Sequence, residues 1–152
     1  MAIRVYADTS VYGGVFDAGF DKPSQEFFRQ VKLGRFLLVT SAPVAGELQD
    51  APEKVRLLYD EFLLLAETAE VSPEVIRLQN AYLKAGIVGP KWATDALHVA
   101  LATVAHCRMI VSWNFKHVVH FDKIPLYNGL NLINGYDSLS INSPSEVISY
   151  ED

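Results

Sequence analysis

The pattern of this chain predicts an α/β fold, with a central, mainly parallel β-sheet flanked by helices on both faces. Three observations carry that reading. Short apolar runs at Ile3 to Ala7, Phe36 to Thr40, Met109 to Ser112 and Leu130 to Asn134 are continuous rather than alternating, as in strands covered on both faces. Helix-like segments separate most of them, and strand–helix alternation marks a layered α/β domain. Right-handed crossovers then bring the carboxyl ends of all the parallel strands to one edge. At 152 residues the chain reads as a single domain, 1–152, large enough to bury a substantial core.

Between the first two runs, Phe27, Phe28 and Val31 give Pro23 to Val31 helical spacing, and Gly34 is placed to end that helix. Ser41 is an N-cap candidate for a helix through Pro43, Val44, Glu47 and Leu48. Pro52 to Leu65 repeats apolar residues at three and four (Val55, Leu58, Tyr59, Phe62, Leu63), and its stretch Leu57 to Leu65 is expected to serve the core. Glu67 to Val71 reads as a short edge strand, and Pro73 to Lys84 as another helix. Gly86 to Pro90 is a break, with Pro90 near the first turn of a helix from Lys91 to His106. A helix or turn follows the third run as far as Phe121. After the fourth run come a loop and then Ser143 and Glu146, at capping-box spacing for a last short helix.

Half the residues are hydrophobic and a fifth are charged, an ordinary globular balance. The net charge of -5 excludes a general polyanion-coating role. A nucleic-acid enzyme with that balance needs a local basic rim and metal ions at its centre. The single cysteine, Cys107, rules out an internal disulfide and suits a reducing compartment; at the end of an apolar helix it reads as a buried, inert thiol. No signal-peptide pattern precedes the first run, and Asp95, His98, His106 and Arg108 interrupt the best candidate for a bilayer span. A soluble, cytoplasmic protein with no membrane partner is the expectation.

Acidic residues stand where apolar segments give way to turns or helices. Asp8 closes the first run, Glu47 lies just beyond the second, and Asp95 interrupts Trp92 to Cys107. An unpaired carboxylate in apolar surroundings is costly and calls for a cation, a set of hydrogen bonds or a shifted pKa. Three such residues suggest one folded site gathering oxygen ligands for a hard divalent cation. Each has a plainer explanation too. Asp8 suits the crevice beyond the strand ends, but also an N-cap; Glu47 suits a solvated helix surface. Asp95 and His98, three apart, are neighbours on one helix side, as an internal hydrogen bond or as part of a site with His98 orienting a carboxylate. Asn114 in Ser112-Trp113-Asn114-Phe115-Lys116-His117 is a turn cap or a site residue, and Lys116 and His117 meet phosphate or solvent. A phosphatase-like reading of Asp8 as nucleophile lacks an acidic residue two places on, where Ser10 stands.

The order of these elements resembles a PIN domain: Asp8 after the first strand, Glu47 on the helix after the second, Asp95 on a long small-residue helix, then a polar residue after the next strand. More narrowly it resembles the VapC-type toxins of bacterial toxin–antitoxin pairs. The likeness rests on Val5 to Val11, Ser41 to Leu48, Ala93 to His98 and Ser112 to His117, and it runs from about Ile3 through Tyr136. It implies a Mg²⁺- or Mn²⁺-dependent endoribonuclease, with Asp8, Glu47 and Asp95 as metal ligands. Asn114 would complete the catalytic set, and Thr9 and His98 would position ligands or water. Lys91 and Lys116 would face phosphate. It further implies an RNA substrate, a small antitoxin partner and a homodimer. The family usually places another acid where this chain has Asn114, which leaves three carboxylates and a weaker place for a second ion. A weakened PIN-like domain that grips RNA or a protein is the alternative.

Overall fold

The computed structural model describes residues 2–148. Its parallel strands are β1 (Ile3–Ala7), β2 (Phe36–Ser41), β3 (Glu67–Ala69), β4 (Met109–Val111) and β5 (Ser140–Asn142), ordered β3-β2-β1-β4-β5 across one sheet. Chain progress reverses between β1 and β4, which makes the crevice beyond those two strands the expected ligand position. Val5, Tyr6 and Ala7 of β1 are fully enclosed, which explains its unbroken apolar run. The edge strand β3 is mostly exposed, and its Glu67 pairs with Arg4 of β1.

Helices α1 (Thr9–Gly14), α2 (Asp21–Lys32) and α4 (Glu53–Leu63) pack together on one side, while α5 (Pro73–Lys84), α6 (Ala93–Val104) and α7 (Ile124–Ile133) form a second group. The first group closes over an aromatic layer in which Tyr12 lies 5.1 Å from Phe28 and Phe28 4.6 Å from Phe62. The second group centres on Tyr82 edge-on to Tyr127 at 4.9 Å. Each fully buried side chain of this size contributes about 1.5–3 kcal/mol. Two short helices complete the chain: α3 (Ala42–Glu47), capped by Ser41, and α8 (Pro144–Val147), which carries the capping box of Ser143 and Glu146. Gly34 ends α2 at a φ of +84°, a left-handed conformation that favours glycine.

Three expectations are corrected. Leu130 to Asn134 is no strand: α7 begins at Ile124 with Pro125 in its first turn, and Tyr127 and Asn131, four apart, are its buried positions. A short apolar run does not distinguish a helix from a strand by periodicity. The fifth strand lies later, at Ser140–Asn142, with only Ile141 buried. The stretch Leu57 to Leu65 is also largely outside the core; Tyr59 and Phe62 are buried, while Leu57, Leu63, Leu64 and Leu65 are exposed. Finally, the turn Pro90–Trp92 is 3₁₀, and α6 proper starts at Ala93 and ends at Val104.

Candidate active site

Asp8 follows β1 directly, and its backbone N–H donates to Val111 O at the end of β4 at 3.2 Å. Its carboxylate is almost wholly enclosed. Oδ1 accepts from Ser10 N at 3.1 Å and Ser10 Oγ at 2.5 Å, and Oδ2 accepts from Ser112 Oγ at 2.5 Å. Both serines continue the chain of bonds, because Ser10 Oγ accepts from Trp113 N at 2.8 Å and Ser112 Oγ from Asn114 N at 2.9 Å. Asp8 is therefore an N-cap for α1 and also the hub that fixes the loop after β4. Burial pushes its pKa up, against the opposing effects of His98, Ser10 and Ser112.

Glu47 ends α3 at the lip of the same edge and donates nothing; it accepts from His98 Nε2. His98 Nδ1 lies 2.7 Å from Tyr6 Oη, which lies 2.7 Å from Ser41 Oγ. The buried imidazole is thus clamped at both nitrogens and holds Glu47. Half-burial alone would raise the Glu47 pKa, but the hydrogen bond and charge of His98 outweigh it, with Thr9 adding to them, and the net shift is down. Thr9 Oγ1 is buried beside Glu47 and meets no hydrogen-bond geometry of its own among the described residues.

Asp95 sits in the first turn of α6, half-buried rather than enclosed. Burial raises its pKa; His117, a hydrogen bond from the Asn114 side chain and His98 act against that, while the Glu47 charge adds to it. His98 stands three residues beyond Asp95 on α6 and bonds Glu47, so one helix links the two acids. Asn114 uses its Oδ1 to accept from Lys116 N at 3.2 Å and His117 N at 2.9 Å, so it caps this turn through its carbonyl oxygen. Trp113 anchors that loop: its Nε1 donates to Ser24 Oγ at 2.8 Å, and a Cβ at Gly14 would come within 2.7 Å of it. Lys91 and Lys116 are exposed and flank Trp92, with Nζ at 5.1 and 5.5 Å from its ring centroid.

Among the described residues no three His, Cys, Asp or Glu side chains stand arranged as ready metal ligands. Two of the carboxylates are turned onto donors within reach, Asp8 onto two serines and Glu47 onto His98. The chemistry of the donor set nonetheless suits a hard cation, with oxygen donors in Asp8, Glu47 and Asp95 and in the Thr9 hydroxyl beside Glu47. Sequence reasoning missed Tyr6, Ser10, Ser41 and Ser112. The one available signal was a hydroxyl residue at or just beyond the end of each strand bordering the crevice.

No protein-family model matches the chain. Its fold is similar to that of a chain in the crystal structure of VapBC2 from Rickettsia felis bound to a DNA fragment from its promoter. The TM-score is 0.53 at 16% identity, covering 75% of this chain and 90% of that one. At that identity the likeness shows the fold alone, a five-stranded parallel sheet flanked by helices.

Proposed function

We propose that this chain is a metal-dependent endoribonuclease and the toxin of a type II toxin–antitoxin pair. The observation that supports the reading is Asp8 at the end of β1, where β1 and β4 diverge, with Glu47 bonded to His98 three residues beyond Asp95 on α6. Asp8, Glu47 and Asp95 would hold Mg²⁺ or Mn²⁺. When bound, such an ion supplies a more acidic water, a polarised phosphate and charge to offset the leaving oxygen.

The chain's own residues do the rest. Asp8 is fixed in direction by Ser10 and Ser112, so its oxygens need no reorganisation of the backbone to meet a ligand. His98, held by Tyr6, keeps Glu47 aimed along one line and can retain a hydrogen bond to it. Asn114 caps the turn after β4 and favours the ionised form of Asp95. Lys91 and Lys116 supply the local positive rim that an acidic protein needs to receive a polyanion. In-line attack would leave a 5′-phosphate and a 3′-hydroxyl.

The partner in this reading is a small antitoxin covering the acidic edge; the similar protein is a VapBC complex on promoter DNA. A non-catalytic binding module is the second reading, favoured by Asn114 standing where a fourth acid would be and by the carboxylates' present partners. One assay separates them. Purified chain, free of host ribonuclease, should cleave a structured RNA with Mn²⁺ and stop on adding EDTA. Calorimetric Mn²⁺ binding without any cleavage would favour the binding module, and neither binding nor cleavage would end the metal-site claim.

A further inference from the structure

Trp92 closes the 3₁₀ turn Pro90–Trp92 that leads into α6, three residues before Asp95. It remains 37% exposed. Its indole lies against the His117 imidazole, with ring centroids 4.4 Å apart and planes 28° apart. His117 is buried, yet neither of its ring nitrogens has a hydrogen-bond partner among the described residues. A buried imidazole with both nitrogens idle forfeits bonds that water would supply, so filling space is a poor reason for it. The turn capped by Asn114 holds it there, and Tyr127 Oη donates to its carbonyl at 2.8 Å. His117 is thus a rigid backing for the indole.

We propose that Trp92, backed by His117, is a stacking platform for an unpaired base of single-stranded RNA, with Lys91 and Lys116 receiving the phosphates beside that nucleotide. This rests on the ribonuclease reading and adds the form of the substrate, a strand with a splayed base rather than a continuous duplex. Every base has a π face, so such a stack holds RNA without reading its sequence. A duplex keeps its bases inside and offers the platform nothing. Both lysine ammonium groups lie within cation–π range of the ring. A base arriving on the indole would free them for phosphate, where charge-assisted bonds are stronger. Because Trp92 stands in the turn that opens α6, three residues before Asp95, the stacked nucleotide would lie near that carboxylate. The other indole is hemmed in on more sides: Phe20 covers a face of Trp113, Phe115 meets it edge-on at 6.1 Å, and its Nε1 is bonded to Ser24 against Gly14.

The test uses the full chain labelled with fluorotryptophan and titrated in EDTA with a short unstructured RNA. The ¹⁹F resonance of Trp92, assigned with Trp92→Phe, should shift while that of Trp113 stays, and the same strand annealed to its complement should move neither. Trp92→Leu should weaken single-strand binding about tenfold, and Trp92→Phe, which keeps a ring, less than about threefold. A Trp92→Leu chain of unchanged thermal midpoint that binds RNA as tightly as its parent overturns the platform. Should that variant not fold, an unmoved Trp92 resonance at saturating RNA overturns it equally. The two readings separate cleanly. Mn²⁺-dependent cleavage with a silent Trp92 removes the platform alone, whereas an RNA-induced Trp92 shift in a chain that cleaves nothing supports the platform and removes the nuclease.

Discussion

The two ends of α6 each bury polar side chains, and they do so in opposite styles. At its carboxyl end Tyr82 Oη donates to Asn131 Oδ1, Asn131 Nδ2 to Thr103 Oγ1 at 3.2 Å, and Thr103 Oγ1 to Val99 O at 2.9 Å. Every member is neutral, Asn131 has no exposure, and burial pushes the Tyr82 phenol up so that it stays protonated. At its amino end Asp95 and His98 join Asp8 and Glu47, with pKa values displaced in both directions and one lip open to solvent. Burial raises Asp8 and Asp95, and the Glu47 charge adds to it at Asp95. A satisfied neutral network rigidifies a core, whereas carboxylates held against a burial cost are suited to something that brings positive charge.

Substitutions at the two ends should therefore part activity from stability. At the amino end, Asp95→Asn is expected to lower Mn²⁺-dependent RNA cleavage by about a hundredfold or more with the thermal midpoint unchanged or slightly raised. Undiminished cleavage would put Asp95 outside the site. Mn²⁺ should raise the midpoint of the parent chain and leave that of the variant where it was, by simple linkage. The carboxyl end should respond in reverse. Asn131→Leu strands the Tyr82 hydroxyl in a dry interior, costing about 2 kcal/mol, or roughly 4–8 °C for a chain of this size. Cleavage per folded molecule should hold, and a selective loss of activity instead would join the two ends into one functional unit.

A smaller effect sharpens the contrast through pH. Because burial raises the folded pKa of Asp8, the native state binds its proton more tightly than the unfolded chain does. Stability from this group is present below the ordinary carboxylate range and is lost as pH rises through the raised value. Asp8→Asn removes a charge that costs stability at neutral pH, so it should raise the thermal midpoint there. That advantage should shrink as pH falls through the carboxylate range in thermal melts of both proteins. A variant less stable at neutral pH would mean that the serine bonds to the ionised form outweigh the desolvation.

How far the molecule can be read from its chain follows the same division. Asp8, Glu47 and Asp95 stand out because a carboxylate among apolar residues has few explanations, and β1 and β2 because their enclosed residues run unbroken. Ser10, Ser112, Tyr6 and Ser41 do not stand out, since hydroxyl residues serve equally as caps, turns and core fillers. Their roles emerge only when the order β3-β2-β1-β4-β5 sets Ser112 beside Asp8 and brings Tyr6 and Ser41 under α6. The carboxyl-terminal third misleads for a different reason. Leu130 to Asn134 is apolar enough for a strand, and the cue against it, Tyr127 and Asn131 one helical turn apart, puts a polar residue in the buried seat. The true β5 offers a single buried residue, too little for any period to register.

Asn114 is where sequence and structure bear on each other most closely, and its substitution should have the smallest effect. In Asn114→Asp one carboxylate oxygen can keep accepting from Lys116 N and His117 N, which preserves the turn. The second oxygen replaces an amide that now favours the ionised form of Asp95, and sets a like charge there instead. Without metal the variant should lose up to about 1 kcal/mol of stability, most visible at low salt, where screening is weak. With Mn²⁺ the sign should reverse, because a fourth carboxylate beside the other three favours a divalent ion, and calorimetry should show binding tightened a few-fold, about 0.5–1 kcal/mol. Tighter binding with lower stability would make the natural amide a compromise between holding the empty protein together and holding the ion. Unchanged affinity would return Asn114 to the turn it caps and leave the metal to Asp8, Glu47 and Asp95 alone.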